Sequence, residues 1–395
     1  MGVFRLFLAL SVLLGHTRGH GFFGLSFVYS EIAVQTFFII SGFYMALILN
    51  EKYIHAGRYK TFLTQRFLRL YPTYLILIVS VVLVDLTVYA TTGRRIGSLV
   101  SWDTATHFLS PWTVAWFVFE NLIIFGQDIV LLLRFDPATG AIHLFLPDAA
   151  AKLHDGTFFL LIGSSWSLAV EFTFYLLAPI LVCRSVRAQM IILALCAAVR
   201  AGIYCTVPHG DGYHWIYCLF PANLLFFMAG SLGYVLYKNY RAELKAFGTS
   251  KPWIFVPFAI LALDYCRFPD WRQLYLLWMP LVFVMVPLLF AVTSRSRIDR
   301  LIGELSYPCY LIHPRVLTFT IPLFATPNHQ WLLGPVSFVI TLTISFLFYR
   351  LVETRTERFR EGLYRKTREA SYIQPPEARG AETPASTFSK APSDS

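Results

Sequence analysis

The chain has 395 residues, of which 56% are hydrophobic and only 14% are charged. Soluble domains carry roughly 25% charged residues, so this composition excludes an ordinary soluble protein. The net charge of +10 can indicate a nucleic-acid-binding protein. Basic loops on the cytoplasmic side of a membrane account for the charge without nucleic acid.

Apolar runs of about 20 residues, the length that crosses a bilayer, recur along most of the sequence. They predict an all-α, polytopic transmembrane helix bundle of about ten spans with both termini in the cytoplasm, because this topology puts most Lys and Arg residues on the inner side. No small-residue cleavage site follows the first run, so we expect a retained helix rather than a signal peptide. The predicted spans are 3–18, 28–49, 71–91, 166–183, 189–206, 215–237, 253–266, 274–293, 304–325 and 331–352.

The segment 112–133 is apolar enough to be an eleventh span, although acidic and amide side chains interrupt it. An eleventh span would move the basic segments 238–251 and 294–300 to the outer side, against the positive-inside rule. We therefore interpret 112–133 as a re-entrant or interfacial piece of a long outer segment. The sequence then divides into a membrane domain, 1–353, and a cytoplasmic tail, 354–395, that is basic and then disordered.

The first predicted helix carries Arg5 and His16, which lie close to three helical turns apart and so share one face about 16 Å apart. Polar groups in a membrane helix are costly and normally face a cavity or a partner. His16 can be a packing residue that is hydrogen-bonded to a neighbouring helix. It can also be a general base, since its imidazole titrates near operating pH.

Arg66 and Arg69 share a helix face at the start of the third predicted span, just inside the membrane. They can be ordinary cytoplasmic anchors, or a clamp for the phosphates of a donor such as coenzyme A, because guanidinium binds phosphate in a bidentate manner. Ser41 and Gly42 lie late in the second span, where small residues indicate close helix packing or the approach of a cofactor chain.

Glu171 lies about one turn into the fourth predicted span, 166–183. It can form a structural ion pair with Arg5 or Arg200, or it can hold an imidazole in its productive tautomer. Glu31, near the outer end of the second span, is the alternative carboxylate partner for His16.

The ninth predicted span contains Tyr307 and His313. Tyrosine at a membrane interface is usually an anchor, whereas an intramembrane histidine followed by proline can line a cavity. We rank His313 below His16 as a catalytic candidate. No Cys/His pattern with metal-ligand spacing occurs, and we expect no metal.

Five motifs occur in an order that resembles the membrane acyltransferase 3 family. The resemblance runs from Arg5 to about Glu353, nearly the whole chain apart from the tail. Each motif is weak alone, and the order gives the resemblance its specificity. The motifs are Arg5-x10-His16, Ser41-Gly42-Phe43, Arg66-x2-Arg69-x-Tyr71-Pro72, Trp166-Ser-Leu-x2-Glu171-x3-Tyr175 and Leu305-Ser-Tyr307-x2-Tyr310-Leu-Ile-His313-Pro314.

The resemblance implies transfer of an acyl group, most often acetyl, from cytoplasmic acyl-CoA to a hydroxyl of an envelope glycan, a lipid-linked sugar or a glycoside. It implies a bacterial inner-membrane location and places the protein in contact with the lipid bilayer. We expect His16 and Glu171 to be catalytic, either directly or through an acyl-histidine relay. The donor-binding residues are then Arg5, Ser41, Arg66 and Arg69, and the substrate pocket contains Glu31, Trp166, Tyr307 and His313.

Two other functions are compatible with the same residues. A proton-coupled transporter or flippase of a lipid-linked glycan would use His16 and Glu171 as a proton relay. A non-catalytic membrane scaffold would use the buried charges as structural ion pairs. Consumption of a thioester and release of free CoA thiol distinguish the enzyme from both.

Overall fold

The computed structural model describes residues 1–17, 21–23, 25, 27–53, 59–136, 138–144, 154–206, 212–263, 271–324, 326 and 328–373. Within these ranges the chain is almost entirely helical. The helices are α1 (Gly2–Gly15), α2 (Ser30–Glu51), α3 (Tyr59–Thr92), α4 (Ser98–Phe108), α5 (Pro111–Ile123), α6 (Gln127–Val130), α7 (Trp166–Leu181), α8 (Val186–Thr206), α9 (Gly212–Tyr217), α10 (Phe220–Asn239), α11 (Arg241–Ser250), α12 (Phe255–Leu263), α13 (Trp271–Thr293), α14 (Arg297–Glu304), α15 (Ser306–Phe324), α16 (Leu333–Phe348) and α17 (Thr354–Ile373).

Short elements complete the fold. A small antiparallel sheet has the strand order β2-β1-β3, with β1 (Leu133–Phe135) between β2 (Ile142–Leu144) and β3 (His154–Asp155). Single 3-10 turns occur at Gly156–Phe159, Pro252–Ile254 and Gln330–Leu332, and a π-helical turn at Tyr349–Glu353 joins α16 to α17.

Six helical stretches in the described part of the chain are long and apolar enough to cross a membrane. The prediction of an all-α bundle with membrane-spanning helices is confirmed, whereas the count of about ten spans and the side of the termini stay predictions. The helices α1 and α7 are apolar but have only 14 and 16 residues. The six stretches are Ser30–Glu51, Tyr59–Thr92, Val186–Thr206, His214–Asn239, Leu274–Thr293 and Gln330–Arg365.

The predicted span at 253–266 corresponds to a short helix, and its last residues, 264–266, lie outside the described residues. Its helical part is α12, with nine residues, and the chain bends by 89° between α11 and the helical stretch Pro252–Leu263. Pro252 is compatible with the first turn of a helix, but it has no backbone N–H to continue the hydrogen bonds of the preceding helix, α11. The two helices pass the test for a membrane span only as a bent pair, which is a broken span or a re-entrant loop.

Residues 112–133 do not form one continuous helix, in agreement with their exclusion from the predicted spans. The helix α5 has 13 residues and is therefore about 20 Å long. It ends at Ile124, whose φ of +67° is left-handed, and Gly126 follows with φ of +93°. The short helix α6 and the strand β1 then complete this segment.

The first part of the predicted tail, 354–373, is helical and packs along α3. The Gln65 side-chain amide donates a hydrogen bond of 3.0 Å to the Arg360 carbonyl. The Lys52 ammonium lies 4.0 Å from the centre of the Tyr364 ring, in cation–π geometry. The rest of the predicted tail, 374–395, lies outside the described residues.

The helices α2 and α10 form the most extensive helix–helix contact of the bundle. Their backbones touch because a glycine lies on each side. A Cβ atom added at Gly230 would lie 1.9 Å from the Ile39 carbonyl oxygen, and one at Gly42 would lie 2.0 Å from the Phe227 carbonyl oxygen. Gly42 of the Ser-Gly-Phe motif therefore serves close helix packing.

We expect the variant Gly230→Ala to destabilise the bundle by about 1–3 kcal/mol or more, since the added methyl group forces two backbones apart. Thermal unfolding of the purified protein in detergent measures this effect. The matched control is Gly202→Ala, because a Cβ atom at Gly202 meets no described atom within 4 Å. Equal unfolding temperatures for the two variants would show that the α2–α10 contact tolerates separation.

Candidate active site

A cavity of about 580 Å³ lies among α1, α2, α3, α7, α14 and α15. Four arginines line it, Arg5, Arg66, Arg69 and Arg300, and we call the part with the first three the arginine end. Much of the remaining lining is apolar, with Val34 and Phe38 of α2 among its members. Six of the residues that the sequence singles out line this one cavity, namely Arg5, Ser41, Arg66, Arg69, Glu171 and Tyr307.

Two arginines at the arginine end differ in their partners. Arg69 Nη2 lies 3.7 Å from a Glu304 carboxylate oxygen. Arg66 is only 8% exposed, and among the described residues its Nε has no hydrogen-bond partner. A buried cationic donor without a partner is costly. An anion that enters the cavity would supply the missing acceptor.

Asp299 joins the cavity to the start of α1. Its carboxylate accepts hydrogen bonds from the backbone N–H groups of Gly2 and Val3, at 2.8 and 3.0 Å. Burial raises the pKa of Asp299, but these hydrogen bonds outweigh burial and leave the pKa below its usual value. The ionised carboxylate therefore caps the N-terminus of α1, where the helix dipole favours negative charge.

Glu171 lies in the cavity lining and not beside His16. Its carboxylate accepts a hydrogen bond of 2.6 Å from Ser41 Oγ and a short one from the Tyr175 hydroxyl. Arg200, a predicted ion-pair partner, instead donates to the backbone carbonyls of Ile216 and Ala222. This arrangement differs from the predicted one, in which Glu171 orients the His16 imidazole. The reason is that α7 directs the Glu171 carboxylate toward α2.

His16 and His313 form a pair at the far end of α1 from the arginine end, with ring centroids 5.3 Å apart. His16 follows the last residue of α1 and is exposed, whereas His313 on α15 is 1% exposed. The side chain beside His16 is therefore the His313 imidazole, although the sequence analysis ranked His313 below His16 as a catalytic candidate.

Hydrogen bonds fix the tautomer of both imidazoles. His16 Nδ1 lies 2.7 Å from the Val12 carbonyl oxygen, and His313 Nδ1 lies 2.6 Å from the Tyr310 carbonyl oxygen. A carbonyl oxygen only accepts hydrogen bonds, so each Nδ1 carries the proton. Each Nε2 then has the lone pair that a general base or a nucleophile needs.

Tyr310 connects the cavity to the histidine pair, and sequence analysis did not single it out. Its hydroxyl forms a hydrogen bond of 2.7 Å with Ser167 Oγ, and both residues line the cavity. Its backbone carbonyl accepts the His313 hydrogen bond, and its ring lies 5.8 Å from the His313 ring. The signal was present in the sequence, since Tyr310 and His313 are three residues apart on one helix face.

Tyr307 and Trp166 hold helices together. The Tyr307 hydroxyl donates a hydrogen bond of 2.7 Å to the Leu70 carbonyl, which ties α15 to α3 beside the cavity. Trp166 is 6% exposed and packs against the edge of the Tyr217 ring, with centroids 4.8 Å apart. Trp166 lies outside the cavity lining, so the cavity gives its predicted substrate-pocket role no support.

Glu31 lies at the start of α2, next to the end of α1. A Cβ atom at Gly15 would lie 3.1 Å from Ser30 Oγ, and Ser30 Oγ donates a hydrogen bond of 3.4 Å to the Glu31 carboxylate. Glu31 therefore stays the carboxylate candidate near the histidine pair.

A buried ion pair anchors the segment that carries His313. Arg315, two residues beyond it, pairs with Asp85 of α3, and Asp85 is 0% exposed. The Asp85 carboxylate also accepts a hydrogen bond of 3.0 Å from the backbone N–H of Ser98. These contacts fix α15 against α3 and α4, and thereby fix where the His313 ring lies.

We expect Asp85→Asn to destabilise the protein by roughly 3–5 kcal/mol, because the change leaves the Arg315 guanidinium buried without its counter-charge. Thermal unfolding in detergent measures the loss. The double variant Asp85→Asn/Arg315→Met removes both charges and should recover much of the stability. A double variant as unstable as the single one would show that the pair itself is not what holds α15.

The family model Acyl_transf_3, described as an acyltransferase domain, matches residues 1–350. No curated protein and no solved structure matches the chain. The family match includes the cavity and the histidine pair, and α17 follows it along the chain. Together with the apolar helices, the match identifies an integral membrane protein with an acyltransferase domain. The chain therefore belongs to the acyltransferase 3 family.

Proposed function

We propose that this membrane acyltransferase moves an acyl group, acetyl in the first instance, from cytoplasmic acyl-CoA to a hydroxyl of an envelope glycan, a lipid-linked sugar or a glycoside. One observation carries the proposal. At one end of the cavity lies the buried Arg66, whose Nε has no hydrogen-bond partner among the described residues. The Ser167–Tyr310 hydrogen bond connects the cavity lining to the His16–His313 pair. Family membership favours acyl transfer over the transporter. We also propose that the protein lies in a bacterial inner membrane, with the histidine pair on the outer side.

The cavity suits an acyl-CoA donor chemically. Phosphate is the natural ligand of guanidinium groups, and Arg66 Nε has no acceptor among the described residues. The apolar part of the lining suits the pantetheine arm, which carries the acyl thioester away from the phosphates. The side chains that would hold the donor are Arg5, Arg66 and Arg69, with Ser41 further along the lining.

The transfer needs one base and no further reactant. His16 Nε2 takes the proton from the acceptor hydroxyl while the hydroxyl oxygen forms a bond to the thioester carbonyl carbon. The carbon–sulfur bond then breaks, and the CoA thiolate receives the proton from the imidazolium. The products are an ester and free CoA thiol. In the relay variant, Nε2 attacks the thioester carbonyl carbon and the CoA thiolate leaves. The acceptor hydroxyl then attacks the acyl-imidazole, the carbon–nitrogen bond breaks to restore Nε2, and the proton of the hydroxyl goes to the thiolate.

His313 and Glu171 act through their neighbours in this proposal. The His313 ring packs against the His16 ring from the buried side and so positions the His16 imidazole. Glu171 holds Ser41 and Tyr175 in the cavity lining, where they contact the donor. Glu171 is thus a positioning residue for the donor cavity rather than for the catalytic imidazole.

We expect His16→Ala to lower CoA thiol release at least about 100-fold, since general bases contribute about 10²–10⁴-fold to rate. Membranes that contain the protein, acetyl-CoA and host envelope glycolipids are assayed with a thiol reagent. The matched control is His107→Ala, because His107 is also exposed and its Nδ1 also lies near the carbonyl four residues earlier, at 2.6 Å from Asp103. Wild-type thiol release by His16→Ala at equal expression would remove His16 from the mechanism.

We expect Arg66→Ala to raise the KM for acetyl-CoA about tenfold or more, because a charge-assisted hydrogen bond contributes about 1.5–3 kcal/mol. Arg66→Lys keeps the charge and should raise KM less. Arg184→Ala, which removes an exposed arginine, is the control. A lower kcat with an unchanged KM would instead place Arg66 outside donor binding.

A further inference from the structure

The helix α17 follows the family match, yet it packs beside the arginine end of the cavity. Gln65, whose side chain holds the Arg360 backbone, immediately precedes Arg66 in α3. The Arg360 guanidinium also lies within electrostatic range of Arg69 and Glu304, which both line the cavity. The C-terminal helix therefore adds a third cation next to Arg66 and Arg69, which are two of the three predicted donor-binding arginines.

A fourth cation, Lys52 at the end of α2, belongs to the same group. Partial desolvation, together with repulsion from Arg66 and Arg360, lowers the pKa of Lys52. Acidic groups lie near these cations as well: Arg360 Nη2 lies 3.8 Å from the Glu357 carboxylate, and Glu304 and Glu361 also attract Arg360. Lys52 is attracted by Glu361 and repelled by both Arg66 and Arg360. Like charges are held together here at an energetic cost, which a dianionic ligand would offset.

Coenzyme A carries phosphate in two places. A pyrophosphate joins the pantetheine arm to the adenosine, and a phosphomonoester is attached to the ribose 3′ position. If the arm lies in the cavity and the pyrophosphate contacts Arg66 and Arg69, the ribose lies further out. A phosphomonoester has about −1.5 to −2 charge at neutral pH, so it needs more than one cation.

We propose that Arg360 and Lys52 form a second anion subsite, outside the cavity lining, that binds the 3′-phosphate of the CoA donor. The inference rests on the proposed acyl-CoA function. It makes α17 a part of the donor site and gives the enzyme a means to select CoA thioesters over thioesters whose carrier lacks this phosphate. Arg360 makes the larger contribution because its guanidinium binds phosphate in a bidentate manner and because its backbone is held in place by the Gln65 side chain.

The test compares CoA with 3′-dephospho-CoA as ligands of the purified full-length protein in detergent, by isothermal titration. Wild type should bind CoA at least about tenfold more tightly. Arg360→Ala should weaken CoA binding about tenfold and leave the binding of 3′-dephospho-CoA unchanged, while Arg360→Lys should recover part of the loss. Arg358→Ala removes an exposed arginine from the same helix and should change neither.

Two results would overturn the subsite. One is equal affinity of wild type for the two nucleotides. The other is an Arg360→Ala variant that binds both more weakly by the same factor, which indicates that Arg360 only holds α17 in place. In either case CoA binding and thiol release from acetyl-CoA persist in wild type. If neither nucleotide binds and acetyl-CoA releases no thiol, the donor assignment itself fails, and the subsite fails with it.

Discussion

A positive charge inside an apolar bundle is the constraint on which this structure depends, because a buried cation is costly unless a partner compensates it. Arg315 satisfies the constraint with Asp85, Arg69 with Glu304, and Arg200 with backbone carbonyls. Arg66 differs, because its strongest neighbours in charge are other cations and its Nε has no acceptor among the described residues. Among the described residues, the fold thus keeps Arg66 beside a cavity with its Nε unsatisfied, and this is the arrangement from which we propose anion binding.

The first helix, α1, extends from the arginine end to the histidine pair, the two regions that the proposed reaction uses. Asp299 caps its beginning near the arginine end, and His16 follows its last residue. Fourteen helical residues separate these features by about 21 Å. In the proposed mechanism, charge recognition and bond making therefore occur far apart, and the Ser167–Tyr310 hydrogen bond lies in the cavity lining between the two regions.

Sequence periodicity predicts which face of a helix is polar, and in that respect it succeeded. Arg5, Arg66 and Arg69 lie on different helices or turns yet line one cavity. Periodicity does not predict which neighbouring helix a polar face meets, because tertiary packing decides that. Glu171 therefore contacts Ser41 rather than His16, and His313 lies beside His16 instead. Hydropathy likewise does not predict the direction in which a helix runs. The run after Pro252 is apolar, but the chain bends by 89° between α11 and this run.

A π-helical turn at Tyr349–Glu353 joins α16 to α17. A π-helical turn holds one more residue than an α-helical turn, so it takes up an extra residue without a large rotation of the helix that follows. In a regular α-helix each residue corresponds to a rotation of about 100°. If the residues of this turn adopted α-helical geometry, every side chain of α17 would rotate by that angle, and Arg360 would move away from α3 without any change in the sequence of α17. The geometry of the turn, and not only the composition of the helix after it, therefore keeps the Arg360 backbone opposite Gln65.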